Sequence, residues 1–165
     1  MTTVKINSIL GDLSKFELDI VFPLIRFFND DDLDYKMGPW LDYEIGNGEK
    51  FPDKYIMIGS DIGGDRIIIN KEFTGPVYMF NHESDDFKIT QLADTLNGFL
   101  ATCREIRDSK SLDIKLVGTE KFIKEYNRIR DVVSKYNDGN IPEFWSNDFV
   151  DYEEFWDENG EYSGP

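Results

Sequence analysis

The sequence predicts a single-domain α+β fold, a mainly antiparallel β-sheet covered by α-helices, and three observations carry that expectation. Three short apolar runs, Tyr55-Ile56-Met57-Ile58 and Arg66-Ile67-Ile68-Ile69 with their β-branched residues and then Val77-Tyr78-Met79-Phe80, follow one another with only turn chemistry between them. Short connections of that kind join antiparallel neighbours, whereas parallel strands need long crossovers. Two segments with helical spacing come afterwards, and strands first with helices later separates α+β from a wound parallel fold. The length of 165 residues suits one domain.

From Val4 to Phe28 the pattern is apolar and irregular. Ile6, Ile9, Leu10, Leu13 and Phe16 fall at helical spacing, and Pro23 interrupts the apolar residues that follow. A short helix and then a buried strand or second helix are expected there. Asn29-Asp30-Asp31-Asp32 and Asp34 mark a surface loop, because unpaired charges do not enter a core. Between the turn residues Gly38-Pro39 and Gly46-Asn47-Gly48, the run Trp40–Ile45 is a candidate strand. Gly59 and Gly63-Gly64 are assigned to the turn between the first two central strands.

The first long helix places Leu92, Leu96, Phe99, Leu100, Cys103 and Ile106 on one stripe, which should cover one face of the sheet. The second runs from a Thr119 cap through Phe122, Ile123, Tyr126, Ile129, Val133 and Tyr136, and stops near Gly139 and before Pro142. Residues 1–142 form the expected domain. Residues 143–165 form a segment of distinct composition, packed on that domain or extending from it. No Lys or Arg follows Lys135, while nine acidic residues and seven aromatic ones do, from Phe144 and Trp145 to Tyr162.

Eighteen basic residues against thirty-three acidic ones leave a net charge of -15 and a pI near 4.4. A field of that sign repels phosphate backbones and favours cationic partners, so direct nucleic-acid binding is not expected. Net charge also simply keeps proteins soluble, which makes its distribution more informative than its size. Cys103 is the single cysteine, so neither a disulfide framework nor a thiolate zinc site fits within one chain. The start of the chain lacks a signal-peptide pattern, and no apolar run approaches the roughly 18 residues of a membrane span. A cytoplasmic protein without membrane attachment is expected.

Catalytic sets are sparse. His82 is the sole histidine, in Asn81-His82-Glu83-Ser84 directly after the third central strand. A nucleophile needs a base beside it, and the plainer reading of His82 is a hydrogen-bonding residue at a strand end. Asp30, Asp32 and Asp34 alternate as in a calcium loop, yet Lys36 and Met37 stand where the tight-turn glycine and the next ligand are needed. The glycines at 59, 63 and 64 lack the Lys-Ser/Thr pair of a phosphate loop, and Asp61 and Asp65 would repel phosphates. No metal and no cofactor is expected. A two-carboxylate hydrolase would need a concave pocket holding a perturbed pair of acids. Aromatics mixed with acids at the carboxyl end suit a docking patch, with the opposite reading that the rings pack back onto the chain's own sheet.

The ordered run Tyr55–Asn70 with its Gly63-Gly64-Asp65 turn, then Gly75-Pro76-Val77-Tyr78-Met79-Phe80-Asn81-His82-Glu83, then Ala93-Asp94-Thr95-Leu96 and Phe99-Leu100, resembles the SUKH superfamily. That superfamily includes fungal cell-wall-synthesis regulators and many bacterial immunity proteins. The resemblance covers Phe51 to about Cys103. It implies a non-enzymatic domain that binds a cognate protein toxin and neutralises it, and the acidity of this chain points to a basic toxin. Candidate partner-binding residues are Asp61, Asp65, His82 and Glu83 around the turns, and Trp145, Asp148, Asp151 and Trp156 in the carboxyl-terminal segment. The alternative is an acidic regulatory scaffold, or a DNA mimic whose rows of carboxylates occupy a nucleic-acid-binding protein.

Overall fold

The computed structural model describes residues 6–15, 25–29, 50–61, 63–84, 86–112, 116 and 118–146. In chain order the elements are helix α1 (Ile6–Leu10), a 3-10 turn (Gly11–Lys15), strands β1 (Ile25–Phe27), β2 (Tyr55–Asp61), β3 (Arg66–Asn70), β4 (Val77–Phe80) and β5 (Ile89–Ala93), and helices α2 (Leu96–Asp108) and α3 (Glu120–Tyr136). The strands lie side by side in the order β1-β2-β3-β4-β5, each pair antiparallel. The expected α+β meander is the observed fold. The candidate strand Trp40–Ile45 and the aspartates at 30, 32 and 34 lie outside the described residues.

The sheet is buried on both faces, and the alternation along β3 shows why the isoleucine run suits it. Ile67 and Ile69 join the larger core with Val77, Met79, Phe27 and the helices, whereas Ile68 joins a second cluster with Phe28, Phe51, Tyr55, Met57 and Phe80. A strand with apolar residues on successive positions is the pattern of a strand covered on each side. On the helical side Phe99 of α2 meets Phe27 edge-on at 6.1 Å. On the other side Phe87 stacks on Tyr55 and Phe80 at centroid distances of 5.7 and 5.1 Å. Each fully buried ring contributes on the order of 1.5–3 kcal/mol of apolar transfer.

Two corrections to the sequence reading follow. Leu92 is not the first turn of a helix but part of β5, because Ile89–Ala93 pairs with β4 and the helix begins only after Thr95, whose hydroxyl accepts from the Gly98 N–H at 3.1 Å. Gly59 is not a turn residue either. It lies inside β2, beside a bulge between Met57 and Gly59, and a Cβ there would stand 2.7 Å from the Arg26 carbonyl oxygen of β1. Glycine is required by the close approach of the edge strand.

Helix α3 begins at the Thr119 cap, whose side chain accepts from the Phe122 N–H, and its carboxyl end turns at Gly139 with φ of +86°. Arg128 ties it to α2 through Glu105 and to its own preceding turn through Glu125, each at 2.7 Å. Arg104 and Arg107 of α2 reach back to Asp12, fastening the amino-terminal turn. At the far end Asn137 accepts from the Asp94 N–H and donates to the Val133 carbonyl.

Trp145 belongs to this framework. Its ring is in the main core at 1% exposure, and the indole N–H donates to the Leu92 carbonyl at 2.7 Å. Placing it on a partner-facing surface is therefore wrong: the ring packs back on the sheet, the alternative that the sequence left open. Replacing it by phenylalanine removes the donor and strands a buried carbonyl. Trp145→Phe is expected to lower unfolding free energy by about 1–3 kcal/mol, read by urea denaturation.

Candidate functional site

One end of the sheet gathers the β2–β3 turn and the β4–β5 turn, because strands that zigzag in sequence order bring alternate turns to the same edge. The β2–β3 turn closes on Asp61. Its backbone N–H donates to the Asp65 carbonyl at 3.0 Å, and its carboxylate Oδ1 accepts from the Asp65 N–H at 2.8 Å. Gly64 sits at φ +99°, a conformation that favours glycine. The β4–β5 turn is organised by Asn81, whose side-chain oxygen accepts from the Glu83 N–H at 2.9 Å while its carbonyl accepts from Ser84 at 3.4 Å. An asparagine bonding its own backbone two residues on is a common way to begin a turn.

His82 locks the two turns together. Asp65 Oδ1 accepts from the His82 backbone N–H at 3.0 Å and lies 2.8 Å from His82 Nδ1. The ring rests against Gly64, where a Cβ would meet Cε1 at 3.0 Å. Any larger residue at 64 would thus push the histidine away from its carboxylate. The ring Nε2 is 4.0 Å from Glu83 Oε1, and Glu83 is 83% exposed against 27% for His82.

The electrostatics follow from this packing. Burial pushes the Asp61 carboxyl above its ordinary range, and the neighbouring Asp65 charge adds to that, while N–H groups of Asp65, Gly64 and Gly63 pull the other way. Arg66, at the start of β3, is lowered by burial and supported by the charges of Asp61 and Asp65. Elsewhere the ion pairs act conventionally, with Arg107 holding Asp12 and Asp108 low and Arg128 holding Glu125 low. The Cys103 thiol is fully buried and pushed up by that burial, so it is protected from thiolate chemistry.

Of the residues singled out in the sequence, Asp61, Asp65, His82 and Glu83 come together here. Trp145 is at the Leu92 end of β5, remote from the His82 turn. Asp148, Asp151 and Trp156 lie outside the described residues. The roles also divide: Asp65 spends its carboxylate on His82, whereas Glu83 and Asp86 are exposed. Arg66, Asn81 and Gly64 are site residues that the sequence reading passed over. Asn81 at a strand end carried a turn signal, but the seat of His82 on Gly64 joins positions eighteen apart in the chain and leaves no local mark.

A His–Asp pair alone does not make a hydrolytic centre, which needs a nucleophile within hydrogen-bond reach of the ring. Nor does Asp61 with Asp65 make an acid pair of the glycosidase kind, since the second carboxylate is committed to His82. Among the described residues no group of three or more His, Cys, Asp and Glu is placed to hold a metal ion, and no helix is long and apolar enough to cross a membrane.

Asp61 carries a stability consequence whose sign is fixed. Its proton is bound more tightly in the folded chain than in the unfolded one, so its contribution is fully present below the ordinary carboxyl range and is lost as pH rises through the lifted value. Asp61→Asn keeps an acceptor for the turn N–H groups and removes the charge. The variant is expected to melt at a higher temperature than the wild type at pH 7, with the difference vanishing toward pH 3, by calorimetry across that range.

The SMI1 / KNR4 family (SUKH-1) model matches residues 7–102, more than half of the chain, from α1 to the middle of α2 and including both turns of this site. No curated protein and no solved structure matches the chain.

Proposed function

The chain belongs to the SMI1 / KNR4 family (SUKH-1), and from that premise we propose that it is a non-enzymatic immunity protein that binds and neutralises a cognate, basic toxin domain. The observation that carries the reading is the lock between Asp65 and His82, which fixes two turns as one surface. On that surface Glu83 and Asp86 are exposed, and Asp61 lies half-buried in the turn beside them. A preorganised anionic end suits a cationic protein surface, since complementary charge speeds encounter and adds selectivity. Asp65 and His82 act in this scheme as positioning residues, and Asp148, Asp151 and Trp156 remain candidate contacts from the carboxyl-terminal segment. The cytoplasm is the proposed site of action, where a lone buried thiol needs no protection from oxidation.

A DNA mimic gains less support. Between Arg104 and Lys135 the sequence carries nine basic residues against six acidic ones, so the helical layer interrupts any continuous array of carboxylates. Exposed cations such as Lys121, Lys124 and Lys135 stand where a phosphate imitation would need anions.

The decisive experiment is co-expression with candidate toxins taken from the neighbouring open reading frames, scored by rescue of growth and by a complex at low salt. Absence of both ends the immunity reading. Within a complex, Glu83→Lys is expected to weaken affinity by up to about five-fold per exposed ion pair lost, with unchanged melting temperature and an effect that shrinks in high salt. Isothermal titration at two salt concentrations measures it.

A further inference from the structure

Strand β5 is the last of the five and has no sixth neighbour among the described residues. Its inner side is spent on β4. There the Asn81 N–H donates to the Lys88 carbonyl at 3.2 Å, which makes Asn81 and Lys88 a hydrogen-bonded pair. Antiparallel pairs alternate between bonded and non-bonded ones, so Thr90 opposite Met79 is bonded as well, while Ile89 opposite Phe80 and Gln91 opposite Tyr78 are not. The main-chain N–H and C=O groups of Ile89 and Gln91 therefore point away from the sheet, and no hydrogen bond among the described residues takes them.

The far half of the same edge is closed. The Leu92 carbonyl accepts from the Trp145 indole at 2.7 Å, and the Asp94 N–H is held by the Asn137 side chain at 2.8 Å. What stays open is the half nearest the β4–β5 turn, where Glu83 and Asp86 are exposed. We propose that this half-edge, Ile89–Gln91, receives an extended basic segment of the partner as a sixth strand, an inference that rests on the docking function proposed above and gives it a binding mode.

The outward groups of Ile89 and Gln91 are two donors and two acceptors at the spacing of alternate residues, a pattern that any extended chain matches. Side chains then choose among chains. Phe87 and Ile89 pack half-buried against the aromatic cluster, so an apolar residue of the added strand continues that cluster sideways. A lysine or arginine at the end of the strand nearest Lys88 lies beside the turn that carries Glu83 and Asp86. Lys88 is itself exposed and opposes one of those two charges, and a lysine on an open edge also discourages indiscriminate pairing. Two other occupants suit the charge poorly. Residues 147–165 hold seven acidic residues and no basic one, and a second copy brings another net charge of -15, so either sets carboxylates against Glu83 and Asp86.

Amide exchange followed by NMR on the full chain tests the edge before any ligand is added. The Ile89 and Gln91 amides are expected to exchange about ten-fold or more faster than that of Thr90, and equal protection of all three overturns the open edge. The probe is then a synthetic peptide of five alternating valines and threonines flanked on each side by two lysines. Its binding is expected to slow exchange at Ile89 and Gln91. The same peptide N-methylated on its five central amides keeps every charge and loses the strand donors, and is expected to bind about ten-fold or more weakly. Absence of protection at Ile89 and Gln91, or binding that N-methylation leaves unaltered, overturns the sixth strand while leaving the docking reading intact. A third peptide, with glutamates in place of the lysines, is expected to bind about five-fold or more weakly at low salt. Equal protection of the edge by that peptide supports strand addition but overturns the basic partner of the docking reading.

Discussion

The structure depends above all on β3 being buried on two sides. Ile67 and Ile69 are held by the helical layer and Ile68 by the aromatic cluster, so one five-residue strand is the seam between two cores. β2 and β4 pair with it on either hand, and the edge strands follow from them. Because side chains alternate with a period of two, a slip of one residue would send Ile68 among the helices and Ile67 and Ile69 among the rings. Register is therefore fixed by packing, and with it the meeting of the two turns. Asp65 can bond His82 only because Arg66 pairs with Phe80, which sets both turns at the same height.

What the sequence showed well was whatever repeats along one element. The three central strands and both long helices are visible as apolar periodicity, and the cap Thr119 and the stop at Gly139 obey local chemistry. β5 was hidden because Ile89-Thr90-Gln91-Leu92-Ala93 is an edge strand, half-exposed over its first three residues, and Leu92 happens to stand four residues before Leu96. Periodicity cannot tell a strand residue from a helix residue when the spacing fits both. Thr95, not used as a signal in the sequence, marks the true start, since a cap shows where helical bonding begins whatever stands before it.

The candidate site divides in the same way. That Asp61, Asp65, His82 and Glu83 stand at the turns was legible from turn chemistry. That Asp65 is bonded to His82 while Glu83 stays exposed was not, because it depends on contacts between residues 65 and 82 that only the strand register creates. Trp145 failed for the opposite reason. Its neighbours in sequence are acidic and aromatic, a composition that reads as surface, yet one carbonyl of β5 accepts its indole N–H and draws it inside. Composition describes a segment on average, and burial is decided residue by residue.

The charge at the sheet end is held against the preference of the fold. Asp61 would be easier to bury as a neutral group, since burial alone lifts its proton affinity and Asp65 beside it adds repulsion. Backbone N–H groups of Asp65, Gly64 and Gly63 offset part of that cost. A purely structural turn could be built from asparagine, which offers the same acceptor without the desolvation cost. A carboxylate in that position accepts the same turn N–H groups and carries a desolvation cost in addition. The glycine at 64 points the same way, for it both permits the left-handed turn and clears the space in which His82 sits. Turn, ring and acid therefore form one unit, in which the strand register, the Asp65–His82 bonds and the space left by Gly64 each require the others.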